Sequence, residues 1–150
     1  MKDLSRGYGD VVRSDPKPTK SAHWKKSLRA ARMYADQWCR EYVKTQWDRC
    51  VTCGSQYNLQ WAHVLSGKGD AVRWYEDNMT RQCEPCNNLH EHEPEHLTEW
   101  FVKERGQMSL FNLVCRSNKV MKYTYSQIMA IGDEYRKKAT NLQKLLEAEE

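Results

Sequence analysis

Cys50-Val51-Thr52-Cys53-Gly54 and Cys83-Glu84-Pro85-Cys86-Asn87 decide how this chain folds. Each holds a Cys-x-x-Cys pair, and two such pairs present four thiolates to one tetrahedral zinc, each pair closing a tight turn at one corner. A redox dithiol needs a single pair and leaves the other unexplained. Four thiolates close the coordination shell, so such a metal is structural, with no position left for water or substrate. The interval between the pairs exceeds that of a plain zinc ribbon. It has room for a hairpin and a loop, and it carries one histidine, His63, in Gln60-Trp61-Ala62-His63-Val64.

Inside that interval Asn58 to Leu65 alternates as a short strand does, and Ser66-Gly67-Lys68-Gly69-Asp70 reads as a turn. Ala71 to Tyr75 is the expected returning strand, with residues 76–82 leading into the second cysteine pair. Downstream, a helix is expected from Glu93, with Pro94 at its first position, Leu97, Trp100 and Phe101 on its apolar face, and Gly106 ending it. Ser109 to about Arg116 suits another short helix. Ser126 caps a final helix with Ile128, Ile131, Tyr135, Leu142 and Leu145 as its buried stripe. Upstream, Ser21 is a fair N-cap for a helix reaching about Asp48. There Trp24, Leu28, Ala31, Ala35, Trp38 and Tyr42 recur at three- and four-residue steps as one apolar stripe. The tryptophans are packing residues first. The expected organisation is a flexible basic tail over 1–20, a long amphipathic helix over 21–49, a zinc-stabilised core over 50–106 and a helical region over 107–150. The fold class is α+β, mainly helical.

Composition narrows the class. The 150 residues suffice for one domain, and they include six Trp and eight Tyr against two Phe. No apolar run is long enough to span a bilayer, and the N-terminus has no apolar signal core, which points to the cytoplasm. Six cysteines in that compartment indicate metal binding rather than disulfides. Cys39 and Cys115 fall outside the pattern and read as buried thiols. Charge is uneven: residues 1–49 hold 12 Lys+Arg against 6 Asp+Glu, and from Lys17 through Arg32 there are six basic residues and no acidic one. Such a patch suits a polyanion, since neutralising phosphates releases counterions, although a solvated helix face explains the charge equally well.

A lone strand histidine is usually structural, but His63 lies between the two knuckles, and Asn78 and Asn87 follow it. This spacing resembles the HNH, or ββα-metal, nucleases. The likeness implies His63 as general base, Asn78 as a residue orienting the loop or the histidine, and Asn87 as a ligand of a catalytic divalent cation, Mg²⁺ or Mn²⁺. Phosphodiester hydrolysis needs those parts: a neutral imidazole takes the proton of the attacking water, and a hard cation neutralises charge growing on the phosphate.

The pattern Cys-x-x-Cys-Gly, Ala62-His63, Arg73-Trp74, Asn78, and Gln82-Cys83-x-x-Cys86-Asn87-Asn88 resembles the NinG (Rap) family of phage recombination proteins. Tyr123-Thr124-Tyr125 and Tyr135-Arg136 extend the likeness, which covers about residues 25–145. It implies a structure-specific endonuclease acting on Holliday junctions and other branched DNA, with a homodimer to match a two-fold substrate and recombination proteins as further partners. The Cys-x-x-Cys-Asn ending is also similar to endonuclease VII-type resolvases.

Two departures stand out. Many HNH enzymes place an Asp just before the base, where this chain has Ala62. Where NinG proteins usually show Ser-Gly-Asn after the last cysteine, it has Glu91-His92-Glu93. Among His90, Glu91, His92 and His96, His92 is the first choice for the missing ligand, against a solvated helix start. Phosphate contacts are expected from Lys25, Lys26, Arg29, Arg32, Lys68 and Arg73. The rival expectations are a non-specific nicking HNH enzyme and a silent zinc module that only binds nucleic acid.

Overall fold

The computed structural model describes residues 27–67 and 69–149, so the 1–20 tail, Ser21, Trp24, Lys25, Lys26 and Lys68 lie outside the described residues. In chain order the elements are α1 (Leu28–Gln46), β1 (Leu59–His63), α2 (Asp70–Arg73), a 3-10 turn (Glu76–Asn78), β2 (Met79–Cys83), α3 (Glu84–His90), α4 (Glu95–Arg105), α5 (Gln107–Ser117) and α6 (Tyr125–Glu149). The architecture is α+β and mainly helical, with one two-stranded antiparallel sheet.

Two long helices form the scaffold. Ala31, Ala35 and Cys39 repeat at four-residue steps with no exposed surface, and small residues at that spacing let another backbone come close. Helix α6 answers with Ile128, Gly132, Tyr135 and Ala139 on one face. At Gly132 an added Cβ would lie 2.5 Å from Cδ1 of Tyr34 and 3.3 Å from Cα of Ala35, so only glycine permits this approach. Contacts advance in step along both helices, from Tyr34 with Asp133 to Trp38 with Arg136 and Tyr42 with Lys138, so α1 and α6 run parallel. Glu76 ties the pair to the hairpin, accepting from the Tyr42 hydroxyl and from Lys138 Nζ at 2.7 Å.

Cap chemistry corrects both helix starts. Ser27, not Ser21, caps α1: its backbone is extended and its hydroxyl accepts from the Ala30 N–H at 3.2 Å. Ser27 stands one turn before Ala31, the first residue that α6 covers. Thr124, not Ser126, caps α6, through a reciprocal box in which Thr124 Oγ1 accepts from Gln127 N–H and Gln127 Oε1 accepts from Thr124 N–H. Leu145, expected in the buried stripe, is 62 % exposed. Helix α1 is too short to reach it, since it ends at Gln46.

The returning strand is not Ala71 to Tyr75. That stretch forms α2 and its exit, with Ala71, Val72 and Trp74 all buried, which strand alternation would not allow. The strand that returns is β2, in a ladder pairing Leu59 with Cys83 and His63 with Met79. Register is therefore set beside the cysteines. The resulting 64–78 connection packs into a second core of Val64, Val72, Phe101 and Leu113 under α4 and α5. Gly106, at φ 87°, makes the sharp joint between those two helices, a conformation that costs glycine little. Helix α5 leaves Met108 and Phe111 exposed, and Cys115, expected to be buried, is exposed as well. Cys39 is fully buried, and burial pushes its thiol pKa up.

Candidate functional site

The cysteines converge from two local structures. Residues 50–54 form a turn in which the Cys50 N–H donates to Ser55 O at 2.8 Å and the Gly54 N–H to Cys50 O at 2.9 Å, with Gly54 at φ 75°. The Val51 N–H donates to Arg81 O at 3.0 Å and lays this turn along β2. Cys83 ends β2 and caps α3, and Cys86 sits in the first turn of that helix. All four Sγ atoms lie within 4.8 Å of one another, so the group could hold a metal ion. Burial pushes the Cys50 thiol up, yet backbone N–H groups of Cys53, Cys83 and Thr52 directed at it outweigh burial and bring its pKa to about 7. Burial raises the Cys83 and Cys86 thiols, and neighbouring sulfurs add to the rise at Cys86. Four sulfurs this close cannot all ionise without a cation among them. Donor type, number and crowding fit zinc.

On β1, side-chain alternation puts Trp61 and His63 on the face toward α1, and Gln60 and Ala62 on the opposite face toward α3. The His63 and Trp61 ring centroids are 4.4 Å apart. His63 Nε2 lies 2.9 Å from the backbone carbonyl of Arg73. A carbonyl can only accept, so Nε2 carries the proton and Nδ1 holds the free lone pair. Burial lowers the pKa of His63 and, with the Arg73 and Arg40 charges, outweighs the hydrogen bond to the Arg73 carbonyl and the Asp36 charge that act to raise it, favouring the neutral ring. The cleft beside it is open and includes Asp36, Arg40, Trp61 and Asn78.

Two buried side chains shape that cleft. Asp36 of α1 accepts from Arg73 Nε at 3.0 Å, Arg73 Nη2 at 2.6 Å and Trp74 Nε1 at 2.8 Å, fixing the residue whose carbonyl holds His63. Asn78, 1 % exposed, accepts from Leu65 N–H at 2.7 Å and donates to Leu65 O and Val72 O, while its own carbonyl accepts from Val64 N–H. It clamps the chain directly after His63. Neither Asp36 nor Arg40 was legible as part of the site, because nothing in the sequence links α1 to the hairpin.

Asn87 lies on α3, where its Nδ2 donates to Gln60 Oε1 at 3.0 Å and leaves Oδ1 as the atom able to take a cation. It therefore meets β1 from the face opposite His63, and among the described residues no hydrogen bond joins the two. His92 is exposed in the turn after α3. His90 is buried instead, its Nε2 donating to Val64 O at 2.9 Å and its Nδ1 without a partner. Of the expected phosphate contacts, Arg29 is exposed, Arg32 pairs with Asp70 at 2.6 Å, and Arg73 lies on α2 rather than on a strand, bound to Asp36.

Comparison with known proteins adds one finding. A family model described as bacteriophage lambda NinG protein matches residues 13–147. No curated protein and no solved structure matches the chain. Among the described residues no helix is long and apolar enough to cross a membrane.

Proposed function

The chain belongs to the NinG family, and from that premise we propose that it is a metal-dependent endonuclease that hydrolyses phosphodiesters in branched DNA, Holliday junctions included, during phage recombination. In this reading β1, β2 and α3 are the ββα-metal unit of an HNH nuclease, clamped at one end by zinc on Cys50, Cys53, Cys83 and Cys86.

The single observation that carries the reading is the 2.9 Å contact of His63 Nε2 with the Arg73 carbonyl, which fixes the tautomer of the neutral ring. With Nε2–H given to the Arg73 carbonyl, Nδ1 is the atom that takes a proton from the attacking water. Protonation leaves the Nε2 donor in place, and its bond to the carbonyl strengthens once the ring is charged. Because the pKa is depressed, the ring is neutral and ready at pH 7. Asp36 acts through Arg73, and Asn78 through the backbone of Val64 and Leu65. Both are positioning residues. Asn87 Oδ1, by the family resemblance, and the exposed His92 are the donors assigned to Mg²⁺ or Mn²⁺, which when bound would neutralise charge on the phosphate. Asn87 reaches β1 from the face opposite His63, so in this reading the phosphate spans the strand edge to meet both.

A two-fold junction calls for a homodimer. The stripes of α1 and α6 are spent on each other. Helix α5 is the free face: it exposes Met108 and Phe111, and no charged residue lies from Gly106 to Cys115, so two copies meet there without like-charge repulsion. Phe111→Glu should give a monomer by sedimentation, and a variant that still dimerises removes α5 from this role.

One observation favours a second reading, a zinc module that binds nucleic acid without cutting it. Ala62, at the position next to the base, is buried and offers no ligand atom. Incubation with Mg²⁺ or Mn²⁺ and a four-way junction, beside matched linear duplex, separates the possibilities. Junction-selective cutting supports the proposal, equal cutting a nicking enzyme, and binding alone the silent module.

A further inference from the structure

Of the cations expected to meet DNA, Arg32 and Arg73 are spent within the fold and Arg29 is exposed, while others, not expected, keep donors for an anion. Arg32 and Arg73 each hold a carboxylate at 2.6 Å, and those partners are only 14 % and 10 % exposed. Arg40 is exposed, has no carboxylate within ion-pair distance among the described residues, and rests 5.4 Å from the centre of the Trp61 ring. A guanidinium held over an aromatic face is placed with little entropy left to lose, and it keeps donors for an anion. Arg81 likewise has no carboxylate partner among the described residues, and its Nη1 donates to Trp47 O at 2.6 Å. Lys44, one helical turn beyond Arg40, has among the described residues only the half-exposed Glu41 at 2.7 Å, a surface pair weak enough to exchange for phosphate.

These three cations border one groove between α1 and β1, floored by Trp61 and Leu59. Arg40 and Trp61 line both this groove and the cleft of His63, so the two adjoin at that stacked pair. Among the described residues lining the two, the one acid is Asp36, already bound by Arg73 and Trp74, and Glu41 enters only as the partner of Lys44. Arg40 and Lys44 stand one helical turn apart on α1 and Arg81 lies on β2, a spread that fits a chain of phosphates better than one small anion.

We propose that the α1–β1 groove carries the phosphodiester backbone of a DNA strand up to His63, with Arg40 gripping the phosphate nearest the ring and Arg81 and Lys44 those beyond it. Its direction toward His63 rests on the nuclease reading; its affinity for a strand does not.

The test is the salt dependence of binding, measured by anisotropy of a fluorescein-labelled four-way junction from about 50 to about 300 mM NaCl without Mg²⁺ or Mn²⁺. Each lost phosphate contact lowers the slope of log K against log salt by about 0.9. Arg40→Gln should therefore lose about 0.9, Arg40→Gln/Arg81→Gln about 1.8, and Lys103→Gln, on the exposed side of α4, nothing. Affinity at low salt should fall several-fold for Arg40→Gln, with partial recovery in Arg40→Lys. An unchanged slope in Arg40→Gln overturns the proposal, as does a wild-type protein that does not bind the junction. Because no cutting is measured, the outcomes separate. A lost slope in a protein that never cleaves keeps the groove and removes the nuclease, while His63-dependent cleavage with an intact Arg40→Gln slope does the reverse.

Discussion

The ring of His63 and the main chain of Arg73 meet at 2.9 Å, nitrogen to carbonyl oxygen, across ten residues of a connection that is neither strand nor simple turn. That contact decides which ring nitrogen is free, and it is itself held from α1 by Asp36 through the Arg73 guanidinium. The histidine is therefore oriented by a helix outside the zinc-bound hairpin.

Asp36→Asn should then act at a distance. An amide offers one acceptor where the carboxylate served three donors, and its NH₂ faces a guanidinium. The expected result is a loss of about 1–3 kcal/mol in stability and a drop of about tenfold or more in the cleavage rate with junction affinity held. Urea unfolding and single-turnover cleavage read the two effects. An unchanged rate in a folded variant would detach Asp36 from the base.

The pH profile follows from the direction of the His63 shift. Its folded pKa lies below the usual 6.5, mainly through burial, so the active neutral form persists into more acidic solution. Cleavage should fall only below pH 6.5. The stability sign is also fixed. Below 6.5 the unfolded ring binds a proton that the folded one refuses, so stability is full above that value and declines as pH falls toward the depressed folded pKa. Cleavage already lost at pH 7 would contradict the assignment.

Zinc should be a condition of folding. Cys83→Ser removes a thiolate from the residue that both ends β2 and caps α3. A structural zinc in a small domain contributes about 10 kcal/mol or more. Metal analysis should give one zinc per chain in the wild type, and circular dichroism should show the variant unfolded. Cys115→Ser, on an exposed thiol, should change neither.

The α1–α6 contact is testable at Gly132. A valine there must displace the Tyr34 ring, 2.5 Å from its Cβ, and crowd the Ala35 backbone. Overpacking of this kind costs about 1–3 kcal/mol, seen as a fall of a few degrees in Tm. A variant as stable as the wild type would mean that the Tyr34 ring moves aside at no cost and that close packing at Gly132 does not hold the helices together.

Much of this was readable locally. The four cysteines announce themselves by spacing, because a metal site is built from short-range turns. The stripes of α1 and α6 follow from helical period, and Gly106 from the conformation it must adopt. What escaped depends on pairing across the chain. The 71–75 segment is a short apolar run after a turn and so reads as a strand, yet the ladder is anchored where Leu59 faces Cys83, so β2 takes the partner and 70–73 coils into a helical turn. Leu145 looks buried by period, but α1 ends too early to cover it. Asp36 and Arg40 reach the histidine cleft only because α1 packs across the hairpin, a contact with no signature in either segment.

Cleavage of a four-way junction by His63→Ala, with Mg²⁺ present and zinc content checked, tests the central claim most directly. Cutting should fall to background while junction affinity and one zinc per chain are retained. Cutting at the wild-type rate by that variant would take His63 out of the chemistry and the nuclease reading with it.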